Sequence, residues 1–183
     1  MRGWRSAAGF SLGELMVALA VLSLALAAVF GVLRSGLGVY RWGAARIEAQ
    51  QSARVALERM TAELRGAGYD PTGAGIAPIA VAAPALVTYQ SDLNGNGIVD
   101  PTRERVTFLL RPGESILRRD AGGGAQPIIE GARGLRFTYY DRAGAVTTDP
   151  DRVVSIRIEL EVGTAGTAAV MEAQALLRNS RAR

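Results

Sequence analysis

The stretch Gly9-Phe10-Ser11-Leu12-Gly13-Glu14-Leu15 opens an apolar run that continues to Leu33 without another charge. Leu, Ala, Val, Met and Phe make up nearly all of that run. With a rise of about 1.5 Å per residue, a helix of this length spans roughly the hydrocarbon core of a bilayer. The sequence therefore predicts a membrane-spanning helix to which the rest of the chain is attached.

A secretory signal peptide is the alternative interpretation of this run. The apolar region of a signal peptide has about 7–15 residues and ends in a small-residue cleavage site. Here the small residue, Gly9, precedes the apolar run. Arg2 and Arg5 lie before Gly9 and should stay on the cytoplasmic side by the positive-inside rule. We therefore expect an anchor that crosses the membrane once.

Glu14 is an ionisable residue at the edge of the apolar helix. A carboxylate in lipid costs a few kcal/mol unless it finds a partner, which makes Glu14 a functional candidate. The simpler alternative is an acid at a helix N-terminus in the headgroup region, where the macrodipole favours it. Its position alone leaves both alternatives open.

The spacing of Gly9, Phe10 and Glu14, followed by Leu15-Met16-Val17-Ala18, resembles the class III leader of type IV pilins and type II secretion pseudopilins. The resemblance implies that a prepilin peptidase cuts between Gly9 and Phe10 and methylates the new amino terminus. It also implies that Glu14 pairs with the amino terminus of a neighbouring subunit, which would neutralise two charges in hydrocarbon. Gly13 departs from the family, which more often has a larger residue there.

Helical spacing continues beyond Leu33 and predicts an amphipathic second half of the helix, ending near Arg65. Its apolar stripe, which a sheet should cover, comprises Leu37, Tyr40, Ala44, Ile47, Leu57, Met60 and Leu64. The glycines at 31, 36, 38 and 43 each cost about 1 kcal/mol relative to alanine. They indicate either a segment that bends in a filament or close packing of neighbouring helices.

Residues 66–78 are rich in Gly and Pro and end the helix. Period-two alternation follows, most clearly in Val153–Val162, where Ile156 and Ile158 face one way and Arg157 and Glu159 the other. Such alternation predicts strands near residues 86–91, 105–110, 115–119, 135–140, 153–162 and 168–178. The predicted class is α+β, with one long N-terminal helix packed on a C-terminal antiparallel sheet.

These patterns divide the chain into four parts. We expect a leader peptide at 1–9 and a transmembrane, assembly half of the helix at 10–33. An amphipathic half follows at 34–66, and a periplasmic β-sheet head occupies 67–183.

Composition narrows the function classes. The chain has no histidine and no cysteine, which excludes Ser-His-Asp and Cys-His catalysis and the usual zinc sites. The net charge of +4 falls to +2 once Arg2 and Arg5 leave with the leader (+4 − 2 = +2). No basic run with interleaved aromatics supports a nucleic-acid partner. We therefore expect neither an enzyme nor a nucleic-acid-binding protein.

The segment from Asp92 to Asp100 matches the first nine positions of an EF-hand-type calcium loop. The candidate ligands are Asp92, Asn94, Asn96, the carbonyl of Ile98, and Asp100. Position twelve, where a bidentate Glu belongs, is Arg103, and Glu104 stands one residue later. The alternative is an Asn-Gly-rich hairpin connection held by Asx turns. We expect weak to moderate Ca²⁺ binding.

A second resemblance narrows the family. The helix ending Leu64-Arg65-Gly66-Ala67-Gly68-Tyr69 and the terminal Leu177-Arg178-Asn179 look like PilW-like minor pilins, which are related to the type II secretion minor pseudopilin J. The resemblance implies an inner-membrane subunit with a periplasmic head that joins other minor pilins and the major pilin to prime or cap a pilus, at its tip or base. The alternatives are a type II secretion pseudopilin and a membrane-anchored, calcium-dependent binding or adhesion domain.

Overall fold

The computed structural model describes residues 9–163 and 168–180. One long helix is followed by strands, so the predicted α+β class is confirmed. The elements are α1 (Leu12–Arg65), β1 (Ile79–Ala83), β2 (Leu86–Gln90), β3 (Arg105–Leu110), β4 (Ile116–Asp120), β5 (Gln126–Glu130), β6 (Ala132–Tyr140), β7 (Ser155–Val162) and β8 (Ala169–Leu176). A 3₁₀ turn, Pro150–Arg152, lies between β6 and β7.

The chain divides into two compact units, residues 1–44 and 45–183, which are described separately. The described part of the first unit is helical from Leu12 onward. The helix is continuous through the glycines at 31, 36, 38 and 43, and an added Cβ at any of them would have no neighbouring atom within 4 Å in the described part of the chain. Packing inside the chain therefore does not require glycine at these positions.

In the second unit one face of α1 forms part of the core. Leu57, Met60 and Leu64 are buried there, as the predicted stripe requires, and so are Ala53 and Ala56. For the earlier part of the stripe the prediction of burial is wrong. The side chain of Ile47 is 58% exposed, and Leu37, Tyr40 and Ala44 are exposed as well. The fully buried face of α1 begins at Ala53, and one turn earlier Ala49 is only partly buried against the core.

The head contains two antiparallel sheets where one was predicted. Strands β1 to β5 form a five-stranded sheet in sequence order, and β6, β7 and β8 form a three-stranded sheet. The prediction missed β1 and β5. Strand β1 has the sequence Ile-Ala-Val-Ala-Ala, which shows little polar alternation, and β5 contains Pro127, which argues against a strand except at a sheet edge.

Strand β7 buries one face by alternation, as predicted. In β7 the side chains of Ile156, Ile158 and Leu160 are fully buried, whereas Arg157 points outward. The two sheets are joined where the Tyr139 hydroxyl donates to the carbonyls of Ala83 (2.8 Å) and Leu86 (3.1 Å). The core is therefore shared by both sheets and the last turns of α1.

A cluster of charged and polar side chains fixes α1 to the five-stranded sheet. The Glu63 carboxylate accepts hydrogen bonds from Arg119 Nε (2.8 and 3.1 Å), the Tyr89 hydroxyl (2.7 Å) and Arg59 Nε (3.0 Å). Burial raises the pKa of Glu63, but the hydrogen bonds from Arg119, Tyr89 and Arg59 outweigh it and leave that pKa lowered. Burial and the Glu63 carboxylate together raise the pKa of Tyr89.

The end of α1 meets the end of the chain. The Asn179 side-chain amide donates to the Ala67 carbonyl (3.2 Å). At Gly68, with φ of 75°, an added Cβ would lie 2.7 Å from Pro78 Cγ and 2.8 Å from the Asn179 carbonyl oxygen. Glycine is therefore required at position 68, and the two segments singled out in the sequence lie in contact.

Candidate processing and assembly site

The residues before α1 form a reciprocal hydrogen-bonded cap. The Ser11 backbone N–H donates to Glu14 Oε2 (2.9 Å), and the Glu14 backbone N–H donates to Ser11 Oγ (3.2 Å). This is a capping box, which satisfies two of the N–H groups that a helix start leaves unpaired. The Ser-x-x-Glu spacing predicts a capping box, a signal that the sequence prediction missed.

The predicted processing residues lie directly beside this cap. Gly9 and Phe10 are exposed, and the Phe10 side chain is 90% exposed. One carboxylate oxygen of Glu14 accepts the Ser11 N–H, and the other, Oε1, has no hydrogen-bond partner within the described residues. The junction between Gly9 and Phe10 and the Glu14 carboxylate are thus both accessible from outside the chain.

The helix that follows has the properties of an anchor. Within the described residues α1 is long and apolar enough to cross a membrane, and none of its most apolar stretch is buried within the chain. The large apolar side chains from Leu12 to Leu33 are about half or more exposed. The described residues leave these side chains uncovered, which is compatible with membrane anchoring.

The predicted calcium-loop residues lie in the head, in the hairpin connection between β2 and β3. Asp92 is fully buried, and its Oδ1 accepts the backbone N–H of Gly95 (2.7 Å) and Asn96 (3.1 Å). Its Oδ2 accepts the N–H of Gly97 (2.8 Å). The loop is thus folded around the Asp92 carboxylate, in the manner of the predicted Asx turns.

The other candidate ligands also make bonds inside the loop. The Asn94 side-chain oxygen accepts the Asn96 N–H (2.9 Å), and that of Asn96 accepts the Ile98 N–H (2.8 Å). Asp100 Oδ1 accepts from the backbone N–H (2.8 Å) and the hydroxyl (2.6 Å) of Thr102. These bonds, together with the Asp100–Arg103 attraction, lower the pKa of Asp100.

Glu104, one residue beyond the expected ligand position, closes the loop. It is 2% exposed, and its Oε1 accepts the N–H groups of Leu93 (2.8 Å) and Asn94 (2.9 Å). Its Oε2 accepts the N–H of Asp100 (2.8 Å). The Glu104 carboxylate therefore holds the two ends of the loop together, which is what a bidentate ligand does through a metal ion.

The described residues contain no group of three or more His, Cys, Asp or Glu side chains arranged to hold a metal ion. A calcium site here would depend on Asp92, Asp100, the two Asn side chains and the Ile98 carbonyl. Each of these side chains could still accept a metal ion, because either the bonded oxygen has a second lone pair or the other oxygen of the same carboxylate makes no bond within the loop. Calcium binding stays a prediction.

Comparison with known proteins bears on the N-terminal site. The family model described as the prokaryotic N-terminal methylation motif matches residues 4–30, which include Gly9, Phe10 and Glu14. No curated protein matches the chain. The motif is the signal of type IV pilins and pseudopilins, and it implies processing by prepilin peptidase and assembly with other pilins. The chain thus carries the processing signal of a type IV pilin-like or pseudopilin-like subunit.

Proposed function

We propose that this protein is a minor type IV pilin, a structural subunit that primes or caps pilus assembly with other minor pilins. The observation that carries the proposal is the methylation motif over residues 4–30, followed by a helix whose apolar half is uncovered. The helix and leader support an inner-membrane position with the head in the periplasm before assembly. The protein acts by assembly and not by catalysis.

Glu14 is the residue to which we assign subunit recruitment. Its capping bond occupies one carboxylate oxygen and leaves the other for the amino terminus that cleavage creates on a neighbouring Phe10. Pairing the two charges removes the cost of leaving either alone in hydrocarbon. A cap needs only an acceptor, and Gln supplies one, whereas recruitment of an ammonium group needs the charge.

The first test is the intact mass of the protein from cells with and without prepilin peptidase. We expect a chain that begins at methylated Phe10 only where the peptidase is present, and an uncut chain for Gly9→Val. A chain cut elsewhere, or uncut in both strains, would overturn the proposal and favour a membrane-anchored binding domain.

The second test separates capping from recruitment. Glu14→Gln preserves the capping acceptor, so it should process normally and still fail to support pili, as should Glu14→Ala. Pili in normal numbers with Glu14→Gln would show that the residue serves only as a cap. Loss of type II secretion with pili intact in a deletion strain would instead identify a minor pseudopilin, which carries the same motif.

A further inference from the structure

A groove of about 530 Å³ lies between the last turns of α1 and strand β8. Its sheet wall is formed by residues 171–174 of β8. Its helix wall is formed by Leu57 and Thr61, flanked by the charged side chains of Arg54, Glu58 and Arg65. Both Met171 and Ala173 are only partly buried against the core. The apolar layer between helix and sheet is therefore incomplete along this side.

Thr61 adds a polar requirement to the groove. Its side-chain oxygen is buried and has no hydrogen-bond partner, and it is the only such side-chain atom in the described part of the chain. The residue itself is 8% exposed and lines the groove. Because a buried hydroxyl without a partner costs free energy, the groove favours an occupant that supplies one.

Strand β8 is also an open sheet edge. Its eight residues pair with β7 without a register shift, and no described strand pairs with its other side. The other sheet edges have features that disfavour pairing with a further strand. Strand β5 contains Pro127, and the pairing of β1 with β2 has an irregular register. In β6 the Phe137 N–H donates to the Pro84 carbonyl (2.7 Å).

The backbone groups at this open edge can be identified from the pairing. The Leu177 N–H donates to the Val154 carbonyl (2.9 Å), so the odd-numbered residues of β8 direct their N–H and C=O groups toward β7. The even-numbered residues, Val170, Glu172, Gln174 and Leu176, therefore direct theirs toward the open edge. That arrangement complements one kind of occupant, an extended polypeptide strand.

The side chains on the outward face of the three-stranded sheet indicate which charge a strand added beside β8 should carry. Arg136, Glu159 and Glu172 stand side by side across β6, β7 and β8. Arg136 pairs with Glu159 (3.8 Å), whereas Glu172 lies directly opposite Glu159 and makes no ion pair with any residue that the structure describes. Since like charges opposite one another are destabilising, a Lys or Arg in the next strand of this row would be stabilising.

We propose that β8 accepts an extended strand from the head of a neighbouring subunit. The strand adds to the three-stranded sheet with a Lys or Arg opposite Glu172 and with small apolar residues over Met171 and Leu57. A polar group of the same strand bonds the Thr61 hydroxyl. That the strand comes from another subunit rests on the assembly function proposed above.

The test uses a fluorescein-labelled peptide, Thr-Val-Lys-Val-Thr-Val, and the full chain in detergent micelles. Binding is followed by anisotropy, and backbone amide exchange is read residue by residue. We expect saturable binding that slows exchange at least about tenfold at Val170, Glu172, Gln174 and Leu176. The same peptide with Glu in place of Lys should bind roughly three- to tenfold more weakly.

Two variants at one position supply the control. Gln174→Pro removes an outward N–H and should abolish binding, whereas Gln174→Ala keeps that N–H and should bind as the wild type does. Equal binding by both variants, protection at other residues, or no binding of the Lys peptide would overturn the proposal. Peptide binding does not require leader cleavage. If the peptide binds but cells do not process the chain, the proposal that β8 accepts an added strand would stand. That result would overturn only the proposal that the strand comes from a neighbouring subunit.

Discussion

Replacing Glu104 with Gln tests whether a buried carboxylate holds the β2–β3 connection. The wild-type side chain accepts three backbone N–H groups, from Leu93, Asn94 and Asp100, at 2.8 to 2.9 Å. Gln has the same shape but only one acceptor oxygen. Whichever way its amide is oriented, at least one N–H faces an NH₂ group and loses its bond.

The expected cost follows from the number of bonds changed. A hydrogen bond to a charged acceptor contributes about 1.5–3 kcal/mol, and the bonds that remain become neutral and weaker. We expect Glu104→Gln to lower the free energy of unfolding by about 2–3 kcal/mol. The matched control is Glu58→Gln, which breaks only an exposed pair with Arg54 at 3.2 Å and should cost about 0.3–0.5 kcal/mol.

Urea denaturation of the full chain in micelles, followed by near-ultraviolet circular dichroism of the buried tyrosines, measures both variants. The urea slope should stay unchanged, so that the midpoint reports stability. A Glu104 variant within about 0.5 kcal/mol of the control would refute the reasoning. A more stable variant would show that removing a buried charge next to Asp92 outweighs the lost bonds.

Three further outcomes follow from the structure. The hydrogen bonds that lower the folded pKa of Glu63 below its ordinary value of 4.5 stabilise the protein above about pH 4.5, and that contribution is lost as pH falls through the folded pKa. The stability difference between wild type and Glu63→Gln should therefore shrink between about pH 6 and pH 3; a constant difference would contradict this. Gly122→Ala should lose more than about 1 kcal/mol in urea denaturation, because the added Cβ would overlap Thr102 Cα and lie 2.6 Å from the Pro101 carbonyl oxygen. Gly123→Ala, with open space at its Cβ, should change stability by less than about 0.5 kcal/mol. Calcium should raise the melting midpoint saturably, with half-saturation at about 10⁻⁴–10⁻³ M and no effect in Asn96→Ala; a midpoint equal in calcium and in chelator would count against the metal site.

The helix and most strands could be predicted because their signals are local. The apolar run to Leu33, the stripe at Leu57, Met60 and Leu64, and the alternation in β7 each lie within a few turns or one strand. The capping box was equally local, and it was missed because Glu14 was interpreted by its charge alone. Its Ser-x-x-Glu spacing was sufficient to predict it.

The division into two sheets could not be predicted in the same way. It depends on which strand edges meet, and contacts between residues far apart in the chain decide that. The Tyr139 hydroxyl bonds the carbonyls of Ala83 and Leu86, and these bonds join β6 to the turn between β1 and β2. No periodicity in either segment specifies the pairing. Strand β5 was missed for a related reason, since Pro127 is acceptable only because β5 is an edge strand.

The two sites proposed here differ in the same respect. The processing site is defined by residues four positions apart at the start of one helix, so its chemistry can be recognised before folding is considered. The open edge of β8 exists because β8 is the last strand of the three-stranded sheet, and within the described residues no strand pairs with the side that faces away from β7. Its charge preference arises from three residues on three strands, Arg136, Glu159 and Glu172, that become neighbours only in the folded head. A surface that selects a neighbouring subunit can therefore be encoded without any local motif, and sequence spacing alone would not reveal it.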